Sequence, residues 1–339
     1  RNGDSFGETP FTTPWHAIIV GDKPTDLVER NYLVPNLCPP CAIDDTSWIV
    51  PGTSLRCGHT TAEGMDGIDF AVEMGMKYIL FCWGWYGAAD FDASDARVVA
   101  PASPFFGDPI TDHPGLDLPK VVAYGRSKGI GVWLYVNRHA IERQLDALLP
   151  LYKEWGVVGI KPGFVNVREQ AWQKWNVDIY RQAARYGLMV DIHDEYRPSG
   201  LQRTYPSLMT VEGIRGQENG SDAFTNCLLP FARFTAGPGD FTPSYHYDRP
   251  AERVRCSHRL ALPILFFSPV QHLFWHKGPA SFRGKGLTEL KLWHGIPTVW
   301  HETVGLHGAI GEYVSLARRS KRTWYVGTIT GESARSLEI

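Results

Sequence analysis

Directly behind the apolar run Leu188-Met189-Val190 stand Asp191, His193, Asp194 and Glu195, four ionisable side chains within five positions. A desolvated carboxylate needs a cation, a metal or a set of donors, so a strand end this charged serves either a site or solvent. In the solvent alternative the loop is open and the carboxylates pair with Arg197 and Arg203. The next apolar run, Leu208-Met209-Thr210-Val211, leads into Glu212, and Gly213-Ile214-Arg215-Gly216-Gln217 separates it from Glu218. Two carboxylates spaced in this way across glycines converge on one point if the loop folds back. Cleavage of a glycosidic bond needs such a pair: one carboxylic acid protonates the leaving oxygen, and a second carboxylate directs water or attacks the anomeric carbon. Hard cations such as calcium take several carboxylate oxygens, which accounts for carboxylates beyond the pair.

Side chains at strand ends are positioned by the strands themselves. Short apolar runs at residues 47–50, 77–83, 131–136, 157–161, 188–193, 208–210, 240–242 and 270–273 alternate with helix-like stretches at 60–74, 118–128, 140–155, 169–186, 223–235, 249–267 and 287–294. Gly129, Gly156 and Gly187 fall where helices must stop in a left-handed cap before the next run. The alternation predicts an α/β fold, and eight strands in this order predict a (β/α)8 TIM barrel over residues 46–299. The rival, a doubly wound open sheet, would carry a glycine-rich phosphate loop after an early strand, and no such loop occurs. Residues 1–45, with the run 15–20, read as the end of a preceding β-sandwich-like module. Residues 300–339, rich in short strands and glycine turns, read as the start of a truncated C-terminal β module. The chain begins at Arg1 and is expected to be a fragment of a longer protein.

Composition narrows the partners. A formal net charge of −2 leaves no basic footprint for nucleic acid or an anionic membrane. No apolar run approaches the ~20 residues that span a bilayer. Aromatic residues make up 12% of the chain, enough to line a sugar site as well as a core. Trp83-Gly84-Trp85-Tyr86, just past the second run, could do either. Cys38-Pro39-Pro40-Cys41 has redox or zinc spacing but lacks a strand-to-helix context, so it is read as neither.

The motifs His193-Asp194-Glu195-Tyr196-Arg197-Pro198-Ser199-Gly200, Arg203-Thr204-Tyr205-Pro206 and Glu212-Gly213-Ile214-Arg215-Gly216 resemble glycoside hydrolase family 97. So do Leu228-Leu229-Pro230-Phe231 and Ala236-Gly237-Pro238-Gly239-Asp240-Phe241-Thr242-Pro243, further along in the family's order. The resemblance implies a calcium-assisted α-glycosidase barrel between an N-terminal β-sandwich and a C-terminal β module, working in the periplasm or outside the cell. Glu218 lies where the family has its general acid, and Glu212 matches a calcium ligand. Asp194 lies where inverting members have a glutamate that binds calcium and helps activate water. The calcium set is thus expected from Asp194, Glu212 and Glu218. His193 matches a substrate-contacting histidine, and Asn137, Trp83 and Trp85 are expected beside the sugar.

Two positions depart from the family. Retaining members carry an aspartate nucleophile at the end of the fourth strand, and Gly163 stands there. Inverting members place a glutamate base at the end of the third strand, and Asn137 stands there. Asp194 is the first expected substitute for that base. Glu195 is the second, if a bulge turns both side chains to the pocket. The resulting expectation is an exo-acting, inverting α-glucosidase whose partner is an oligosaccharide or α-glycoside. An α-galactosidase of the same family and a catalytically weakened sugar-binding barrel are the alternatives.

Overall fold

The computed structural model describes residues 15–100, 115–167, 169–194, 197–245, 254–275, 278, 283 and 290–338. Its parallel strands are β1 (Gly52–Cys57), β2 (Tyr78–Phe81), β3 (Gly131–Asn137), β4 (Gly159–Gly163), β5 (Met189–Ile192), β6 (Leu208–Val211), β7 (Ser244–Tyr245) and β8 (Val270–Trp275). Their lateral order is β6-β5-β4-β3-β2-β1-β8-β7. Sequential neighbours with β1 joined to β8 describe a sheet curled into a (β/α)8 barrel, as the alternating pattern predicts. Among the described residues no ladder joins β6 to β7. The seam is spanned instead by the chain leading into β7, where Asp240 N donates to Val211 O at 3.1 Å.

Helices follow the strands: α1 (Pro24–Glu29), α2 (Leu33–Asn36), α3 (Thr61–Glu73), α4 (Leu118–Lys128), α5 (Arg138–Trp155), α6 (Gln170–Arg185), α7 (Ala223–Leu228), α8 (Cys256–Leu265) and α9 (Leu290–Trp293). Their ends are written locally. Thr60 and Glu63 form a reciprocal capping box at the start of α3, with both backbone-to-side-chain bonds at 3.1 Å. Asn137, the last residue of β3, caps α5 by accepting from His139 N at 3.0 Å. Gly129 and Gly156 close α4 and α5 in the left-handed region, at φ 74 and 84. Because helices cover the barrel outside and side chains fill its inside, β2, β5 and β6 are buried along their whole length.

Three expected elements fall elsewhere. The first strand begins at Gly52, and residues 47–50 form a turn instead, with Ile49 N donating to Thr46 O. Their apolar character has another use. Trp48 and Ile49 plug one end of the barrel against Tyr78, Leu80, Trp133, Met189, Met209 and Val270. Residues 240–242 cross the seam without forming a strand, Thr242 standing in the left-handed region at φ 48, and the strand forms only at Ser244–Tyr245. The stretch 223–235 is not one helix, because Pro230 breaks it into α7 and two 3-10 turns.

Residues 302–330 form an antiparallel sheet of β9 (Glu302–Ala309), β10 (Tyr313–Ser320) and β11 (Thr323–Thr330) in the order β11-β10-β9. It shares a core with the barrel's flank, where Val314, Leu316 and Ile329 pack with Phe231, Leu262 and Leu265. On the N-terminal side, the described residues before β1 hold helices α1 and α2 and no strand; 15–20 has no regular secondary structure. Helix α1 is tied to the antiparallel sheet through Gly305 N, which donates to Glu29 Oε1 at 2.7 Å.

Candidate active site

The ends of β4, β5 and β6 meet over one cleft of about 1090 Å³, lined among others by Asp194, Arg197, Glu212, Arg215 and Asn219. The expected residues His193, Asp194, Glu212 and Glu218 come together here. His193 Nδ1 lies 2.6 Å from Asp194 Oδ1, and its Nε2 lies 3.3 Å from Glu212 Oε2. One ligand atom each from His193, Glu212 and Glu218 lie within 4.8 Å of one another. Glu195 lies outside the described residues.

Backbone geometry makes this convergence. Asp194 sits in the left-handed region at φ 73, as does Phe164 at φ 55, which turns both strand ends sharply. The turn brings Asp194 Oδ2 onto the backbone N–H of Phe164, which donates to it. Asp194 N in turn donates to Glu212 Oε2 at 2.8 Å. Behind Glu212 the loop is riveted by Arg233, whose guanidinium donates to the carbonyls of Val211, Glu212, Gly213, Gly237 and Pro238. Glu218 stands on a 3-10 turn, Gln217–Asn219. That turn is anchored by buried Gln217, whose N donates to Phe241 O at 2.9 Å and whose Oε1 accepts from Ser244 N at 3.0 Å. Gly216 is required there, since a Cβ would stand 2.3 Å from Thr242 Oγ1 and 2.7 Å from Phe241 O.

The electrostatics separate the carboxylates. Burial pushes Glu212 up to about 7, against the pull of His193 and Lys161. Burial would raise Asp194 too, but the bonds from His193 and Phe164 outweigh it and hold Asp194 below its ordinary value. Asp194 is therefore a carboxylate with its lone pairs already engaged, a weaker proton acceptor than expected for the leading base. His193 is held up at about 9: burial opposes its charge, and Glu212 and Asp194 outweigh burial.

A hard cation fits Glu212 and Glu218. Glu212 is a carboxyl group only 4% exposed, whose burial outweighs the pull of His193 and Lys161, and Glu218 presents a second carboxylate beside it. The third side chain within ligand distance of this pair is His193, and the Asp194 oxygens face His193 and the Phe164 N–H.

A second cluster of the same kind, Asp191, Asp240 and His272, lies buried in the barrel interior. There Lys161 already supplies the cation. Its Nζ is 2.7 Å from Asp191 Oδ2 and donates to Asp240 Oδ2, while His272 Nε2 lies 3.3 Å from Asp191 Oδ2.

The two aromatic expectations divide. Trp83 is half-buried, and its Nε1 donates to Asp90 Oδ1 at 3.1 Å beside the end of β3. Trp85 is a correction. It is 1% exposed, donates to Tyr135 O at 2.6 Å and packs against Tyr86, Tyr152 and Trp155, so it is core and touches no sugar. Asn137 is buried too, and reaches the site's edge through Asp90 and Tyr135.

Sequence reasoning missed Tyr135. This buried ring on β3 packs edge-on against His193, with centroids 5.8 Å apart. A Cβ on Gly163 would stand 2.2 Å from Tyr135 Cε2 and Oη, so the phenol fills the place of a side chain at that position. Burial raises the phenol's pKa, so it rests protonated. Register was the available signal, since β3 and β4 pair Tyr135 with Lys161 and Asn137 with Gly163. Gly163→Asp should therefore lower stability by about 1–3 kcal/mol through overpacking, read as a lower urea midpoint. A variant as stable as the parent would mean that the phenol moves aside freely.

Comparison with known proteins agrees with this geometry. Residues 46–214 match the family model for glycoside hydrolase 97, and residues 299–339 match that for the glycosyl-hydrolase 97 C-terminal, oligomerisation region. A protein of Bacteroides thetaiotaomicron named retaining alpha-galactosidase is 30% identical over 98% of this chain and 52% of its own length. A probable retaining alpha-galactosidase of Streptomyces bingchenggensis is 30% identical over 97% of this chain and 51% of its own. This chain thus spans about half the length of these curated relatives. A glycoside hydrolase family 97 enzyme from Pseudoalteromonas sp. strain K8, solved with acarbose, shares the fold at a TM-score of 0.77 and 23% identity. That match covers 93% of this chain and 55% of the other. With the barrel and the C-terminal region both matched in order, the chain belongs to glycoside hydrolase family 97.

Proposed function

We infer that the protein hydrolyses α-glycosides by a single displacement that inverts the anomeric centre, with α-glucosides as first substrates. One observation carries the inversion: position 163 has no carboxylate, and the Tyr135 ring occupies the volume one would need. Without a nucleophile there, water must attack directly. Glu218 gives its proton to the leaving oxygen, and a water on the opposite face of the sugar bonds to carbon as the glycosidic bond breaks. His193 and Arg197, one in the Glu212 cluster and one on the cleft wall, offer donors to sugar hydroxyls. Calcium held by Glu212 and Glu218 would supply positive charge to the buried carboxylates and to substrate oxygens. No helix among the described residues is long and apolar enough to cross a membrane.

The names of the curated relatives favour a second reading of the substrate, an α-galactoside, and the word retaining in them stands against inversion, which rests on position 163 alone. Proton NMR of the sugar released by the full-length protein, with calcium present, separates the readings. A β-anomer appearing first from an α-glucoside is the expected result. Release from α-galactosides alone would move the substrate to the second reading while leaving inversion intact. An α-anomer first would sink the single displacement, and no release from either would leave a sugar-binding barrel.

A further inference from the structure

A single displacement needs a carboxylate that takes the proton of the attacking water, and three positions fail to provide it freely. Gly163 has no side chain, Asn137 carries an amide, and both oxygens of Asp194 are engaged. The structure nevertheless brings a carboxylate to the end of β3. Asp90, in the loop after β2, accepts from Asn137 Nδ2 at 2.9 Å and from Trp83 Nε1 at 3.1 Å, both on Oδ1. The orientation of the Asn137 amide is fixed, because its Oδ1 caps α5 through His139 N. Asn137 therefore presents only its N–H side, and a carboxylate is the natural partner.

The rest of the loop is pinned in the same direction. Asp92 Oδ1 lies 2.7 Å from His139 Nδ1, so the loop after β2 is clamped twice on the β3–α5 junction. Two donors on Oδ1 leave Oδ2 without a donor among the described residues, and Asp90 is exposed at the barrel mouth. The carboxylate is also next to the site. Asn137 Nδ2 is 3.5 Å from Tyr135 Oη, and the Tyr135 ring abuts His193. β3 and β6 are three strands apart in the barrel, so Asp90 and Glu218 approach from different sides.

We propose that Asp90, held by Asn137 and Trp83, is the general base that activates water in this chain. The proposal rests on the single-displacement reading above. Water's oxygen bonds to the anomeric carbon, its proton passes to Asp90 Oδ2, the glycosidic bond breaks, and the leaving oxygen takes the proton of Glu218. Solvent then returns each carboxyl to its starting state.

The test uses Asp90→Asn and Asp90→Ala in the full-length protein, assayed on α-glucosyl and α-galactosyl fluoride, with thermal melts of each variant. Fluoride departs without an acid, so these substrates isolate the base. The expected result is a kcat loss of roughly 100-fold or more at an unchanged melting temperature. Azide should restore turnover by Asp90→Ala, because azide attacks without giving up a proton, and the product should be the β-glycosyl azide. Loss that azide does not restore, or an Asp90→Asn rate within about threefold of the parent, would overturn the role. If the parent itself releases the α-anomer first, the single displacement fails and the Asp90 role with it. A β-anomer from the parent with an active Asp90→Asn removes Asp90 alone.

Discussion

Lys161→Met should lower stability by about 3–5 kcal/mol, a large part of the ~5–15 kcal/mol that holds a typical domain together. The side chain of Lys161 is fully buried and bonded to two carboxylates, Asp191 and Asp240, that are themselves 0% exposed. Methionine keeps the volume and the apolar stem but removes the buried cation, leaving Asp191 beside His272 and Asp240 with the backbone N–H of Thr242. The strain is already visible in the parent. Burial pushes Asp240 up to about 6 even with Lys161 beside it, while Lys161 and His272 outweigh burial at Asp191 and hold it well below the usual range. The urea midpoint of the variant reads the loss. Replacing the cluster as a whole, Lys161→Met with Asp191→Asn and Asp240→Asn, should recover part of it, because the penalty arises from uncompensated charge. A single variant within about 1 kcal/mol of the parent would show that His272 or entering water already neutralises the pair. Lys161 is two residues before Gly163, and Asp191 three before Asp194, so this buried pair also sets where the two strand ends emerge.

How far the sequence discloses this site follows from what each residue's environment depends on. The barrel was legible because each βα unit carries its own punctuation: the Thr60–Glu63 box and the glycines after α4 and α5 act within a few residues. His193, Asp194 and Glu212 were legible because they follow apolar runs closely, and strand ends converge in a barrel whatever the loops do. Glu218 was legible through its glycine-flanked spacing from Glu212 and the family resemblance. Residues 47–50 were misplaced for the opposite reason. An apolar run can plug a barrel end as well as line its wall, and only the position of Pro51 hints at the difference. Trp85 was misread because rings on a strand-end loop can turn inward or outward, and the choice depends on Tyr152 and Trp155, far along the chain. Asp90, Tyr135 and Lys161 act through cross-strand register, which no local pattern encodes. The Gly163 substitution was visible in sequence; that Tyr135 fills its place was not.

Glu218→Gln should lower kcat on an α-glycoside with a poor leaving group by about 10²–10⁴-fold while leaving the fold intact. The side chain is half-exposed on a turn whose anchors are Gln217 and Gly216, so the substitution disturbs no buried bond. Glutamine keeps an oxygen for a cation and loses only the acidic proton. The loss must therefore track how much the leaving group needs that proton. On α-glycosyl fluoride, which needs none, turnover should stay within about tenfold of the parent. The contrast separates two roles that the geometry alone leaves side by side, since Glu218 lies in the same cluster as Glu212. A ligand role predicts equal losses on both substrates and a weaker calcium affinity by calorimetry. An acid role predicts unequal losses at unchanged affinity. Paired with the fluoride assay of Asp90→Asn, the outcome assigns the two protons of the reaction to opposite sides of the barrel: a variant lacking the acid keeps the fluoride reaction, and a variant lacking the base loses it.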